Sequence, residues 1–135
     1  MNSPRLECAM PFFIVDDIHA SVDFYHKTLG FDIRLLIPDE DPFFAIVRRD
    51  NVAFCLKQIA DDIHPIPNPA RHEWAIWDAY IYTPDPDLLY DEFVSRRVTI
   101  HQPLSDTDDG LRAFEIEDNN GYVLCFGCPL GGDPA

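Results

Sequence analysis

The sequence predicts an α+β fold: two paired β-α-β-β-β modules that form a curved mixed sheet around a cleft. Two observations carry this. From Met10 to Phe31, a short apolar run (Pro11 to Val15) is followed by an acidic pair, Asp16-Asp17, suited to capping a helix. Ile18, Val22, Tyr25 and Leu29 then recur at helical spacing as one apolar stripe, Gly30 supplies a left-handed stop, and Phe31 opens a new apolar run. About seventy residues later the plan repeats: Ala79 to Thr83 is strand-like, Pro84 to Asp87 is a turn and cap, Leu88 to Arg96 is helical, and Val98 to His101 is extended again. Internal repetition of this kind constrains a fold more than any single motif does.

The elements follow in order. Leu6 to Val15 is the first strand, Ile18 to Leu29 the first helix and Phe31 to Ile37 the second strand. A proline-bounded polar turn (Pro38 to Pro42) leads to strands at Phe43 to Arg48 and Val52 to Gln58, joined by the tight turn Arg49-Asp50-Asn51. Residues 59–75, with Pro65, Pro67 and Pro69 and no clear period, read as a linker that brings Trp74 and Trp77 to the second half. There, Ile76 to Thr83 is a strand, Asp87 to Arg96 a helix and Val98 to Gln102 a strand. Leu104 to Gly110 is an acidic loop, and Leu111 to Glu117 and Tyr122 to Gly127 are the closing strands. Asp118 to Gly121 is a hairpin turn, since Asn-Gly tolerates positive φ. Residues 1–135 thus read as a single domain, with modules at 6–58 and 76–128, and the tail from Gly131 is expected to fray.

Composition narrows the function. The net charge of −14, from 10 basic and 24 acidic side chains, repels phosphate backbones and argues against nucleic-acid binding. The acidic field either serves solubility or attracts a cationic ligand. No apolar run nears the roughly 18 residues of a membrane span, and the first residues carry no signal-peptide apolar stretch, so a cytoplasmic protein without membrane contact is expected. Of the four cysteines, Cys125 and Cys128 have CxxC spacing, but at the end of a strand and without a second pair, so that motif reads as buried apolar thiols. The five histidines are scattered, and no HExxH, nucleophile elbow, P-loop or dinucleotide fingerprint is present.

The run from Val15 to Tyr25, Leu29-Gly-Phe31 and the closing Glu117 to Phe126 resemble the vicinal-oxygen-chelate superfamily of glyoxalases, extradiol dioxygenases and bleomycin resistance proteins. The likeness covers about Cys8 to Cys128. Phe44 to Ala53, Thr83 to Glu92 and Arg112 to Gly121 bring it nearest to the bleomycin resistance proteins. In the enzymes of that superfamily, a His or Gln of the first strand and a Glu of the last strand of each module hold a metal. The resemblance places Met10, Cys55, Asp78 and Cys125 at those positions, where imidazole and carboxylate ligands would be wanted. It therefore implies no catalytic residues, no metal and no cofactor, with a soft-metal thiolate site as a weaker option. It also implies a homodimer, and leaves open whether the modules pair within one chain or across two.

Each helix covers one face of its sheet, so the other face must pack against something or bind something. Strand alternation turns Met10, Phe12, Ile14, Ala53, Cys55, Lys57, Asp78, Tyr80, Tyr82, Val123 and Cys125 to that side, and Phe13, Val15, Phe54, Leu56, Ile81, Leu124 and Phe126 under the helices. The predicted ligand-binding set is Met10, Phe12, Cys55, Lys57, Trp74, Trp77, Asp78, Tyr80, Tyr82 and Cys125, an aromatic surface suited to a flat organic guest. Asp78, Glu115 or Glu117 could pair with a cationic group on it. The same aromatics would also suit a dimer interface, and the tryptophans either wall the pocket or pin the linker. Two functions follow: a metal-free protein that sequesters a small molecule, as in antibiotic resistance, or a divergent metal-dependent lyase, isomerase or dioxygenase.

Overall fold

A computed structural model describes residues 3–131, and the rest of the tail expected to fray lies outside them. The first half contains β1 (Phe12–Ile14), α1 (Ile18–Asp23), β2 (Asp32–Ile37), β3 (Phe44–Arg49) and β4 (Val52–Lys57). After a one-turn helix α2 (Asn68–Arg71) come β5 (Ala79–Tyr82), α3 (Pro86–Ser95), β6 (Thr99–Asp106), β7 (Leu111–Glu117) and β8 (Val123–Pro129). They form two mixed four-stranded sheets, ordered β1-β4-β3-β2 and β5-β8-β7-β6. In each, the first strand runs parallel to the last and the other pairings are antiparallel. The sheets do not close on one another, and among the described residues no helix is long and apolar enough to cross a membrane.

Local chemistry sets the boundaries. Asp17 caps α1, accepting the amides of His19 and Ala20, and Asp85 caps α3 through Leu88. The first helix widens into a π turn at Phe24–Thr28, where the Leu29 amide reaches back to the Phe24 carbonyl. Gly30 follows at φ +80, where a side chain would be strained and would crowd the Arg49 guanidinium at 3.2 Å.

Four strands differ from expectation, β5 among them, since it begins only at Ala79 rather than at the expected Ile76, residues 76–78 belonging to the linker that lies over the sheet. β1 is short: residues 3–10 are exposed, with Leu6 at 100 %, because Pro11 has no amide to extend the ladder. β6 runs on to Asp106 instead of entering a loop at Leu104. It is an edge strand, so Pro103 costs it no second partner, and Ser105 and Asp106 regain pairing with Ala113 and Arg112. β8 continues to Pro129 because Leu111 pairs with it.

Side chains from the helix-bearing faces of both sheets share one buried cluster: Phe13, Phe54, Leu56 and Tyr25 from the first half, Phe93, Phe114, Leu124 and Phe126 from the second. Phe13 stacks on Tyr122 with ring centroids 4.2 Å apart. Polar locks join the halves. The Tyr25 hydroxyl donates to buried Asp118 at 2.7 Å, and Arg49 forms a two-toothed pair with Glu92 at 2.8 and 2.9 Å. With the helix-bearing faces turned inward, the opposite faces turn away from the shared core. Within one chain, the sheets therefore do not enclose a common cleft.

Candidate ligand-binding site

On the outward face of the second sheet, cross-strand register places Tyr80, Cys125, Glu115 and Gln102 in one row and Tyr82, Gly127, Ala113 and Ser105 in the next. The second row is small in its middle, where Gly127 and Ala113 sit side by side in close contact. Gly127 is required there: an added Cβ would lie 2.6 Å from both the Ala113 Cβ and the Arg112 carbonyl. β8 is held on both sides by β5 and β7 and cannot retreat. Gly127→Ala is expected to cost about 1–3 kcal/mol by overpacking, read as a lower denaturant midpoint at unchanged slope.

The linker folds over this face. Asp78 fixes it: one carboxylate oxygen accepts the Asn68 amide at 2.7 Å, and the other accepts the Val123 amide at 2.8 Å. This ties the start of α2 to β8, and the Asn68 side chain holds the Trp77 carbonyl. The result is a cleft of about 310 Å³, with Pro69, Ile76 and Trp77 on one side and Gln102, Glu115 and Cys125 on the other. The Trp77 ring lies 5.4 Å from that of Tyr80, tilted by 37°. A cleft of this size, with the Trp77 indole in its wall among polar side chains such as Gln102 and Glu115, has room for a ring system of modest size.

Burial sets the ionisation of the floor. Burial, and then the neighbouring Glu115 charge, push the Cys125 thiol up to about 12, so it stays protonated. Burial also raises the Glu115 carboxyl, against the pull of His101, whose Nε2 lies 3.8 Å from it. The Tyr80 hydroxyl is likewise raised by burial.

The ten predicted site residues are dispersed. Trp77 and Cys125 line the cleft and Tyr80 stands beside them. Phe12 and Asp78 border a separate groove with Tyr122 and Arg71. Cys55 and Lys57 lie on the outward face of the first sheet, with the Lys57 ammonium 5.7 Å from the Phe43 ring centre; Met10 precedes that sheet, exposed. Tyr82 edges a cavity of about 390 Å³ where the two halves meet. Trp74 is 81 % exposed and packs edge-on against His72. Sequence reasoning did not place Ile76, Pro69, His101 or Gln102 at the site. The prolines of the linker were the available signal, since a stiff segment of that length must lie along a surface.

The four positions where the superfamily's enzymes hold a metal do not fit one. Both Asp78 oxygens already accept backbone amides, the Cys125 thiol is held neutral, and Cys55 is also raised by burial. Met10 and Cys55 belong to the first sheet's side of the molecule and Asp78 and Cys125 to the second's. Among the described residues, no three His, Cys, Asp or Glu side chains gather as a metal-binding group.

Paired β-α-β-β-β modules with open outer faces, one roofed by an aromatic linker, define a class of small domains built around sheet-face clefts. A family model described as the Glyoxalase/Bleomycin resistance protein/Dioxygenase superfamily matches residues 7–126, and the chain belongs to that superfamily. Among solved structures, it is similar to the bleomycin-binding protein from bleomycin-producing Streptomyces verticillus, solved with copper(II)-bleomycin (24 % identity, 96 % of this chain and 100 % of that one, TM-score 0.66). It is similar to TnmS3, an antibiotic-binding protein from Streptomyces sp. CB03234 (20 % identity, 90 % and 95 % covered, TM-score 0.65). It is also similar to a glyoxalase-related enzyme from Clostridium phytofermentans (15 % identity, 96 % and 100 % covered, TM-score 0.71). No curated protein matches the sequence.

Proposed function

We propose that this chain is a metal-free binding protein that sequesters a flat aromatic small molecule in the cleft beneath Trp77. The observation that carries this reading is the cleft between Trp77 and the outward face of the second sheet, its linker side fixed by Asp78. Nothing in it requires a bond to break: holding the guest is the activity, the use that the names of the Streptomyces bleomycin-binding and antibiotic-binding proteins also describe.

We further propose that it works as a homodimer. The outward face of the first sheet presents Phe12, Cys55, Ile46 and Leu35 in one row and Ile14, Lys57, Phe44 and Ile37 in the next. Phe12 is 55 % exposed and Ile37 43 % exposed, an apolar sheet face that calls for a cover. That face carries Arg48 and Lys57, and the second sheet's outward face carries Glu115 and Glu117. A second copy therefore offers a complementary surface and a second wall for the cleft. Free thiols throughout the described residues suit a reducing compartment such as the cytoplasm.

The test is a thermal-shift screen of tag-free protein against bleomycin-type glycopeptides, flat aromatic metabolites and divalent metals, with and without chelator. A guest at about a hundred times its Kd should raise the melting temperature by roughly 5–10 °C, equally in chelator. Stabilisation only by a transition metal, with guest binding lost on chelation, favours the metal-dependent enzyme reading instead.

A further inference from the structure

We propose a second small-molecule site in the cavity of about 390 Å³ where the two halves meet, its ligand an uncharged phenol of a single ring. The internal repeat of the fold supplies the comparison. Phe12 pairs with Cys55 as Tyr80 pairs with Cys125, and Asp17 caps α1 as Asp85 caps α3. Counting along these elements, Phe13 corresponds to Ile81, Ile14 to Tyr82, Ser21 to Leu89, Tyr25 to Phe93 and Tyr122 to Val52. Each half lays its last hairpin against the first strand and helix of the other, which makes two equivalent seams.

The two seams are packed differently. In the first, the Tyr122 ring stacks on Phe13 at 4.2 Å, and its hydroxyl donates to the Ile14 carbonyl at 2.6 Å. Ser21 accepts the side-chain amides of Asn119 and Asn120 at 3.1 and 2.9 Å, and Tyr25 donates to Asp118. In the second, Val52 and Ile81 stand where those stacked rings stand, and Leu89 and Phe93 replace the polar anchors. The cavity lies there, with these four side chains in its wall. Two aliphatic side chains do not reach as far as two rings, and a cavity wall lacks dispersion contacts that a guest of matching shape restores.

The polar groups give the class of guest. The two first strands run in the same phase: the Thr83 amide donates to the Gly127 carbonyl at 2.9 Å, as the Val15 amide donates to that of Lys57 at 2.9 Å. On edge strand β5 the Tyr82 carbonyl therefore holds the place at which the Ile14 carbonyl accepts a phenol hydroxyl. Tyr82 lines the cavity, and Val52 has no hydroxyl to offer it. The cation on the wall, Arg49, is already held by Glu92 through bonds of 2.8 and 2.9 Å, so an anionic guest gains no free partner. The carboxylate on the wall, Asp50, is exposed, where water and salt screen its pull on a cation. One neutral ring with one hydroxyl, the shape of a tyrosine side chain, matches what remains.

The experiment titrates the full chain near neutral pH with p-cresol, which is the tyrosine side chain as a free molecule, and with toluene, which lacks the hydroxyl. Isoleucine methyl NMR reads both: Ile81 reports the seam cavity and Ile76 the cleft beside Trp77. p-Cresol should shift the Ile81 methyl to saturation and bind about threefold or more tightly than toluene, because a hydroxyl buried without an acceptor would weaken binding instead. Val52→Tyr supplies the ring from the chain itself and should abolish the Ile81 response, while an unmoved Ile76 signal shows that the variant is folded. No saturable response at Ile81, or a response at Ile76 alone, overturns the proposal. So does toluene binding as tightly as p-cresol, or p-cresol binding retained by folded Val52→Tyr. The wild-type titration decides by itself if that variant does not fold. Each of these results leaves the reading of the cleft beside Trp77 standing.

Discussion

Asp118→Ala is expected to cost about 3 kcal/mol, lowering the melting temperature by about 10 °C, the largest loss from any single polar side chain in this chain. Asp118 is 6 % exposed and receives three donors: the Tyr25 hydroxyl at 2.7 Å, the Asn120 amide at 2.8 Å and the Tyr122 amide at 3.0 Å. Truncation strands all three and frees the hairpin that ties the second sheet to α1. Tyr25→Phe removes only one of these bonds and should cost about 1 kcal/mol. A loss under about 1 kcal/mol for Asp118→Ala would refute the latch.

The same residue gives a pH signature. Burial pushes the Asp118 carboxyl up to about 6, against three hydrogen bonds that favour the anion. A carboxyl whose folded value exceeds its ordinary one binds its proton more tightly when folded. Its contribution therefore improves as pH falls from above 6 toward the ordinary carboxylate range, and is flat below that. Glu92, lowered first by its hydrogen bonds from Arg49, acts in the opposite sense, losing stabilisation as the medium becomes acid. Comparing denaturant midpoints of wild type and Asp118→Asn across this window isolates Asp118: the difference between the two should shift in favour of the wild type on acidification. A pH-independent difference would contradict the assignment.

The second large effect concerns binding. Trp77→Ala is expected to weaken binding of flat aromatic guests at least tenfold, because it removes the roof of the cleft and the stacking face beside Tyr80. Trp74→Ala should leave affinity within about twofold, since that ring stands in solvent against His72. Titration of each variant by calorimetry reads both. Equal losses for the two tryptophans would mean that the guest does not lie under Trp77.

The contrast between these tryptophans marks how far the chain could be read from its residues. Strand alternation sorted Phe13, Phe54, Leu56, Leu124 and Phe126 into the core because a period of two is a local property, and the caps at Asp17 and Asp85 were legible for the same reason. β1 was read too long because apolar character at Leu6 to Met10 outweighed the missing amide of Pro11. What no local pattern carries is the docking of the two halves. It depends on Tyr25 with Asp118, 93 residues apart, and Arg49 with Glu92, 43 apart. That docking turns the open faces outward, and so Cys55 and Lys57 do not share a cleft with Cys125 in one chain. Asp78 could be read as facing the open side, but its use as the clasp of the linker depends on Asn68, ten residues away across an irregular segment.

Native mass spectrometry of tag-free protein titrated with aminoacridine in the presence of chelator tests the central claim most directly. The account predicts a dimer that takes up guest without metal and releases it at unchanged mass. A guest recovered chemically altered, or one retained only when a transition ion is bound in stoichiometric amount, would contradict it.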